Sequence, residues 1–533
     1  MDLRPLVFQQ EDVSDESASL LERRKANDSD VFPSVNYSLI VDDVVDNFKI
    51  GLFHFIVVLA AALCYAGYNL YYHAIGYVII TACELNITQG NKGWLSLCFM
   101  IGLTVSSGIL GAFGDNVGRR KVLVICMTVY IIATLLSVFA YNYIMLVIMG
   151  GILGIANGGI VTTATSYVLE FFPRSSRGKA SGVMAASLTF GGIYSSLVAL
   201  IILPHPFSLP LGQIYFTNWR LYILVNALPV IPGYLLLLYM PESLRFVLVK
   251  GKGNQISHVL SRMDTINSCC KRNDYSFKQA VKLQLLSINK DNTDENNDND
   301  VQSEMIAQSN IKLYKKPWII RLILLGIGWV GYCFCNVGFT VWLPTLVSFY
   351  VSGKTCGHYD IVNSSWAIPI HHQAISHICV NQTSLVPTIT NILYANVGTL
   401  PFSFLCIALI NRAGRKWQYC SLAFITSISV LLIWVIDTRL ATMILITIFT
   451  IVTNIAWIPY TTWTSELFPT EIRSTVTGIL NIIGDGSCVL STVVFTLLFN
   501  VNCTATIILY SLVALSGGIA SLFLPDTTNI DIK

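Results

Sequence analysis

Long apolar runs alternate with short polar breaks along this chain, and the length of the runs is the first informative quantity. A bilayer core about 30 Å thick is crossed by about 20 apolar residues in a helix. Twelve runs of that size occur, near 50–78, 93–113, 122–141, 143–169, 180–203, 220–240, 319–350, 390–411, 417–436, 440–464, 474–499 and 503–524. The first and seventh exceed the minimum, so each is expected to tilt or to reach past the bilayer. The expected organisation is an acidic N-terminal tail over 1–47, a six-helix bundle over 48–244 and a connector over 245–317. A second six-helix bundle over 318–525, containing a polar loop at 351–389, and a tail over 526–533 complete it. From Asn289 to Asp300 the connector reads N-K-D-N-T-D-E-N-N-D-N-D. No apolar residue there offsets the ordering entropy, so the connector is expected to be partly disordered.

Composition sharpens the class. Apolar residues make up 54% of the 533 and charged residues 12%, about half the charged share of a soluble domain. The mean hydropathy is +0.62, so the apolar excess must be buried in something other than water. A net charge of +3 provides no basic surface for nucleic acid. The fourteen cysteines include no C-x-x-C pair and form neither a disulfide framework nor a metal ribbon. With no nucleotide loop, metal cluster or nucleophile elbow, neither an enzyme nor a cofactor or metal site is expected. The fold class is an all-α membrane protein. Residues 1–47 lack an early apolar core, so no cleavable signal peptide is expected and the first span serves as signal anchor.

Lysine and arginine placement orients the spans. One set of loops carries Arg119, Arg120 and Lys121, then Arg174, Arg177 and Lys179, then Arg412, Arg415 and Lys416, then Arg473. The opposite set offers only Lys92, Arg220, Lys354 and Arg439. The richer side, shared with both termini, is expected to be cytoplasmic. N-x-S/T acceptors at Asn86, Asn363 and Asn381 lie on the far side and are glycosylation candidates. Cys356 and Cys379, in the far-side loop, are a candidate disulfide if the compartment is oxidising. Near the N-terminus, Glu16 to Leu21 fits an acidic dileucine sorting pattern, leaving intracellular vesicle and plasma membrane both open.

The halves repeat one another. After the second span the chain reads Gly111-Ala-Phe-Gly-Asp115-Asn-Val-Gly118-Arg119-Arg120-Lys121, and after the eighth Asn411-Arg-Ala-Gly414-Arg415-Lys416. Glu170-Phe-Phe-Pro173-Arg-Ser-Ser-Arg177 follows the fourth span, and Glu466-Leu-Phe-Pro469-Thr-Glu-Ile-Arg473 follows the tenth. Every matched pair is 296 residues apart, as Asp115 is from Asn411 and Glu170 from Glu466. One constant offset through two motifs is the mark of a duplicated half. Glycines 108, 111 and 114 are expected to let helices approach closely, and Gly118 suits the tight turn between spans. Glu170 and Glu466 end their helices where the macrodipole disfavours an anion, so Arg177 and Arg473 are expected to compensate them.

These motifs resemble the major facilitator superfamily, in which a G-x-x-x-D-x-x-G-R-R loop joins the second and third spans. Asn218-Trp219-Arg220 and Pro241-Glu-Ser-Leu-Arg245-Phe are similar to sugar-porter-like members. Gly191-Gly-Ile-Tyr194, Gly338-Phe-Thr-Val-Trp342-Leu-Pro344 and the Glu466 block resemble the synaptic vesicle glycoprotein 2 group. The resemblance implies two pseudo-symmetric six-helix bundles that alternate between inward-open and outward-open states. Gly111, Asp115, Gly118, Arg119, Arg120, Glu170 and Arg177 would form the first cytoplasmic gating network, and Asn411, Gly414, Arg415, Glu466 and Arg473 the second. Asn411 stands where many members have an acid, which weakens the second copy.

Charges inside a bilayer are rare and usually functional. Asp485, between Gly484 and Gly486, lies twelve residues past Arg473, about 18 Å along a helix. It is a candidate for carrying a proton, binding a cation or pairing with a substrate amine; a packing acid satisfied by hydroxyls is the other reading. The first span, Tyr65-Ala-Gly-Tyr68-Asn69-Leu-Tyr71-Tyr72-His73, carries no carboxylate, which argues against proton coupling there. Asn69 is a candidate for substrate contact or for a helix–helix bond. Trp457, at a position resembling a cavity aromatic of the vesicle glycoproteins, and Trp342 are candidate cavity walls. The expected function is a monomeric secondary active transporter of a small organic solute, with or without a coupling proton or cation. A transporter-fold vesicle glycoprotein with a regulatory or scaffolding role and little flux is the alternative.

Overall fold

The computed structural model describes residues 50–85, 87, 91–211, 214–249, 318–352, 382–436, 438–468, 470–499 and 501–526, with positions 259, 262–263 and 265–267 of the connector. Among them twelve helical segments are long and apolar enough to cross a bilayer. The first bundle holds Leu52–Thr81, Trp94–Val117, Arg119–Val138, Tyr143–Leu169, Ser176–Ile202 and Asn218–Tyr239. The second holds Trp318–Thr340, Ser384–Ile410, Arg415–Val435, Arg439–Thr464, Val476–Leu498 and Cys503–Leu522.

Departures from the expected spans follow from local chemistry. The sixth span is two helices, Asn218–Asn226 and Val230–Tyr239, parted at Pro229, whose missing N–H cannot continue the ladder. The seventh breaks into Trp318–Thr340 and Leu343–Val351 because Pro344 cannot donate to Thr340; it sits instead in the first turn of the second piece. The eighth helix starts at Gln382, so residues 382–389 are helix, not loop. An antiparallel hairpin pairs Ser208–Leu211 with Ile214–Thr217 between the fifth and sixth spans, the described exception to an all-helical chain.

The halves repeat in space. First packs on fifth, second on fourth, third on fourth, and first on sixth; seventh packs on eleventh, eighth on tenth, ninth on tenth, and seventh on twelfth. Adding six to each span number turns one list into the other. Between halves, the main helix contacts are second on eleventh and fifth on eighth, a pair the same operation exchanges. Helix starts keep the sequence offset: Arg119 and Arg415, Tyr143 and Arg439, Arg174 and Thr470. The two described glycines with positive φ, Gly118 and Gly414, occupy the same turn in each half. This is the expected fold of two pseudo-symmetric six-helix bundles.

Of the glycines singled out above, Gly114 makes a close approach, a Cβ there coming 3.2 Å from Thr163 Cγ2 of the fourth span, and the tightest contacts come from other glycines. A Cβ at Gly154 would overlap the Phe99 carbonyl, and one at Gly158 would come 2.6 Å from the Leu103 carbonyl, so the fourth span seats the second through small residues. Gly108 meets nothing within 4 Å, and Gly111 only an ordinary contact with Thr162.

Candidate functional site

At the basic end, the turn through Gly118 presents Arg119 and Arg120 at the start of the third span. Arg119 bridges Asp115 (3.0 Å) and Glu170 (2.9 Å). Glu242 closes the same cluster: its Oε1 accepts the Arg120 backbone N–H at 2.8 Å, capping a helix N-terminus that needs an anion. Arg120 in turn donates to the carbonyls of Leu237 (3.2 Å) and Leu238 (2.6 Å) at the end of the sixth span. Ser243 donates to Glu170. Among the described residues the cation paired with Glu170 is Arg119, while the Nε of Arg177 donates to the Phe172 carbonyl at 3.1 Å. The physical reason is reach: Arg119 begins the neighbouring helix beside the carboxylate, while Arg177 follows the Pro173 turn and caps the preceding carbonyl.

The second half repeats this. Arg415 pairs with Glu466 at 3.0 Å, the positions 296 residues on from Arg119 and Glu170. Tyr167 donates to the Pro241 carbonyl at 2.6 Å, and Trp463, again 296 residues on, donates to the Pro525 carbonyl at 3.2 Å. Pro525-Asp526 is thus a second copy of the Pro241-Glu242 turn. Sequence reasoning missed it because the half-lengths diverge before it, although the Pro-acid pair was there to be read. Among the differences between the copies, Arg415 has Nε and Nη1 buried without a partner, in the half where Asn411 replaces the acid. The side chains of Asn411 and Arg473 lie outside the described residues.

The far end is sealed. Glu84 accepts from Thr217 (2.7 Å) and Trp219 Nε1 (2.6 Å) and pairs with Arg220 (3.4 Å), while Asn218 of the same motif donates to the Leu203 carbonyl at 2.8 Å. Between halves, a Cβ at Gly76 would come 2.6 Å from the Val341 carbonyl, and one at Gly93 would overlap Thr496. Asn396 of the eighth span donates to the Gly192 carbonyl at 3.2 Å and to Ser196 at 3.1 Å on the fifth. Lys92, 3% exposed, extends its amine over the Trp342 ring at 5.6 Å. Burial pushes that amine down to about 8.

Toward the basic end the halves part. Glycines 108, 178, 182, 478 and 486, on the second, fifth and eleventh spans, meet nothing within 4 Å. Where contact gives way to open space, Ser107 donates to Asp485 Oδ2 at 3.3 Å across the halves. The neighbours of this pair, Gly108 and Gly486, both border open space. Asp485 thus sits near the middle of its span, where the second and eleventh spans meet beside glycines that border open space toward the basic end.

Aromatic residues stand beside it. Trp329 stacks on Tyr460 (4.5 Å between centroids) and Tyr332 (5.6 Å), and half-buried Trp457 lies 5.1 Å from Trp329 and 5.8 Å from Tyr332. A Cβ at Gly484 would overlap Trp329 Nε1, which puts that indole one residue from the acid. Tyr68 of the first span lies within electrostatic range of Asp485 and of Tyr332. Sequence reasoning passed over Trp329, Tyr332 and Ser107, since nothing in their local pattern separates them from ordinary packing residues.

The other candidates divide. Trp457 joins the group by Asp485. Trp342 does not: it is 0% exposed and stacked on Phe495 at 4.9 Å, part of the far-end seal, because the Pro344 break turns it into the bundle. Asn69 donates to the Leu188 carbonyl at 2.5 Å, a bond between the first and fifth spans. Asn86, Asn363, Asn381, Cys356 and Cys379 lie outside the described residues. Cys503, at the far end of the twelfth span, is disulfide-bonded. Among the described residues no group of three or more His, Cys, Asp or Glu could hold a metal.

The family model of the Major Facilitator Superfamily matches residues 57–492. The chain is similar to synaptic vesicle glycoprotein 2C of Mus musculus, 24% identical over 95% of this chain and 82% of that protein. Synaptic vesicle glycoprotein 2A of Rattus norvegicus is 26% identical over 54% of this chain and 41% of its own length. Among solved structures, the inward-open xylose transporter XylE from E. coli superposes with a TM-score of 0.64 at 15% identity, over 89% of this chain and 97% of that one.

Proposed function

The chain belongs to the Major Facilitator Superfamily, a family of multi-pass membrane transporters, and from that membership we propose that it is a secondary active transporter moving a small organic solute by alternating access. The observation that carries the reading is the difference between the ends: the halves touch closely at Gly76 and Gly93, while glycines of the second, fifth and eleventh spans border open space toward the basic end, which we read as a cleft that stops at Asp485. Rocking one bundle on the other about the Ser107–Asp485 crossing would close the basic end and open the far one. The duplicated Arg119–Glu170 and Arg415–Glu466 pairs sit at the ends of the helices that must move, so their charges are suited to biasing the two states. Asp485 is the coupling or substrate residue, Trp457 a cleft wall, and Asn69 a strut of the first bundle. The basic end faces the cytoplasm. In support, the disulfide at Cys503 lies at the opposite end, where an oxidising compartment would keep it intact.

One observation favours a second reading, a vesicle glycoprotein with a regulatory or scaffolding role and little flux: the second gating copy leaves two Arg415 nitrogens without partners. Uptake into liposomes containing the purified protein, with and without a pH gradient, separates the two. Solute accumulation that collapses in Asp485→Asn is the expected result. Silence across sugars, amines, carboxylates and nucleosides, with tight protein partners retained, transfers the weight to the second reading.

A further inference from the structure

We propose that the cleft takes small monovalent organic cations, an ammonium group resting between the Asp485 carboxylate and the aromatic faces beside it. This rests on the reading of the cleft as a solute path and adds the chemical class of the solute.

Four features carry the inference. Asp485 is a carboxylate at membrane depth whose described hydrogen bond comes from the neutral hydroxyl of Ser107. The arginines and lysines that form described ion pairs or ring contacts stand near the ends of the bundles, where Arg119, Arg415, Arg220 and Lys92 are already engaged. A buried carboxylate without a cation is costly, and a solute cation supplies the missing counter-charge.

The surroundings are aromatic. Trp457, Trp329 and Tyr332 cluster on the second half and Tyr68 approaches from the first. An ammonium within about 6 Å of such a ring is attracted by its quadrupole, most strongly by tryptophan. This is the surrounding that favours an alkylated cation over a hydrated one.

Oxygen ligands are scarce. Hard metal cations take about six to eight oxygens, whereas here the described pair supplies a carboxylate and one hydroxyl. That set suits an organic ammonium, which needs one anion and apolar cover.

The duplication sets the valence. The positions 296 residues from Asp485 and Ser107 are Thr189 and Ser403, so the equivalent crossing of the fifth and eighth spans carries no formal charge. One acid faces the cleft apex, and one positive charge neutralises it.

The test uses purified full-length protein and matched probes that differ only in charge: choline against its neutral carbon isostere 3,3-dimethylbutan-1-ol, and tetraethylammonium against tetraethylmethane. Thermal stabilisation is read in detergent, and uptake of labelled choline in liposomes. The expected result is stabilisation by the cations and not by their isosteres. Asp485→Asn reduces that preference by about tenfold or more, while Asp485→Glu retains it. A melting transition of unliganded Asp485→Asn establishes that it folds. Equal effects of cation and isostere, no effect of any cation at millimolar concentration, or a cation preference that survives in Asp485→Asn would each overturn the proposal. Gradient-driven uptake of a neutral solute without cation preference sinks the cation class and keeps transport. Cation-selective stabilisation without flux keeps the site and sinks transport.

Discussion

Replacing Gly76 by alanine tests the two-ended picture directly. In the sealed far end, the added methyl would stand 2.6 Å from the Val341 carbonyl and 2.9 Å from Cγ of Pro344. Neither can swing away, since one is backbone and the other a closed ring, so the bundles themselves must part. Overpacking of this kind costs about 1–3 kcal/mol. The cost falls only on the state in which the far end is shut, because the contact crosses the two halves. The equilibrium between far-closed and far-open forms should therefore move by about 5-fold to about 150-fold toward far-open. Gly108→Ala is the matched control: the same methyl on the same residue type meets nothing within 4 Å, so in the basic-open state it costs nothing. The assay is labelling of single cysteines placed on the far-end and basic-end halves of the eleventh span, with a membrane-impermeant reagent applied from each side. Gly76→Ala should raise far-side labelling and lower basic-side labelling, with Gly108→Ala not raising the far-side rate. Folded Gly76→Ala protein that labels as the unsubstituted chain does would refute the reasoning, because the far-end contact would then not be a gate.

Three further outcomes follow from the geometry. Arg119→Gln and Glu170→Gln should each lower uptake, and the double variant should be no worse than the single ones. The partly exposed pair should show a coupling of about 1 kcal/mol in a double-mutant cycle, with Arg415 and Glu466 giving the same pattern; purely additive losses would separate the pairs from gating. Burial lowers the Lys92 amine to about 8, against 10.5 in the free side chain. Between these values the unfolded chain holds a proton that the sealed form does not, so stability should rise with pH from about 8 to about 10. Lys92→Met should flatten that rise in thermal melts, and an unchanged slope would dismiss the residue. Trp342→Ala should cost about 3–5 kcal/mol of stability as a core truncation, read as a lowered melting temperature. Trp457→Ala should instead change the apparent affinity for solute with a small effect on melting; reversed outcomes would exchange their roles.

Much of this protein could be read from its sequence, for reasons that are physical and local. Water and lipid sort residues by polarity along a helix, so twelve spans were visible as apolar runs, and the basic loops marked one end. The duplication was visible because a constant spacing survives between motifs, and it carried the turn glycines and the paired Glu170 and Glu466 into register. What the sequence could not supply was partnership across distance. Glu170 meets Arg119 because the third helix begins beside the end of the fourth. Trp342 and Trp457 look alike as tryptophans in apolar runs, yet one is buried in a seal beside the proline break and helix packing leaves the other half-buried against Trp329 and Tyr332. Ser107 gains meaning only from Asp485, 378 residues away. The asymmetry between a shut and an open end is likewise a property of how two rigid bundles lean together, and no single helix contains it.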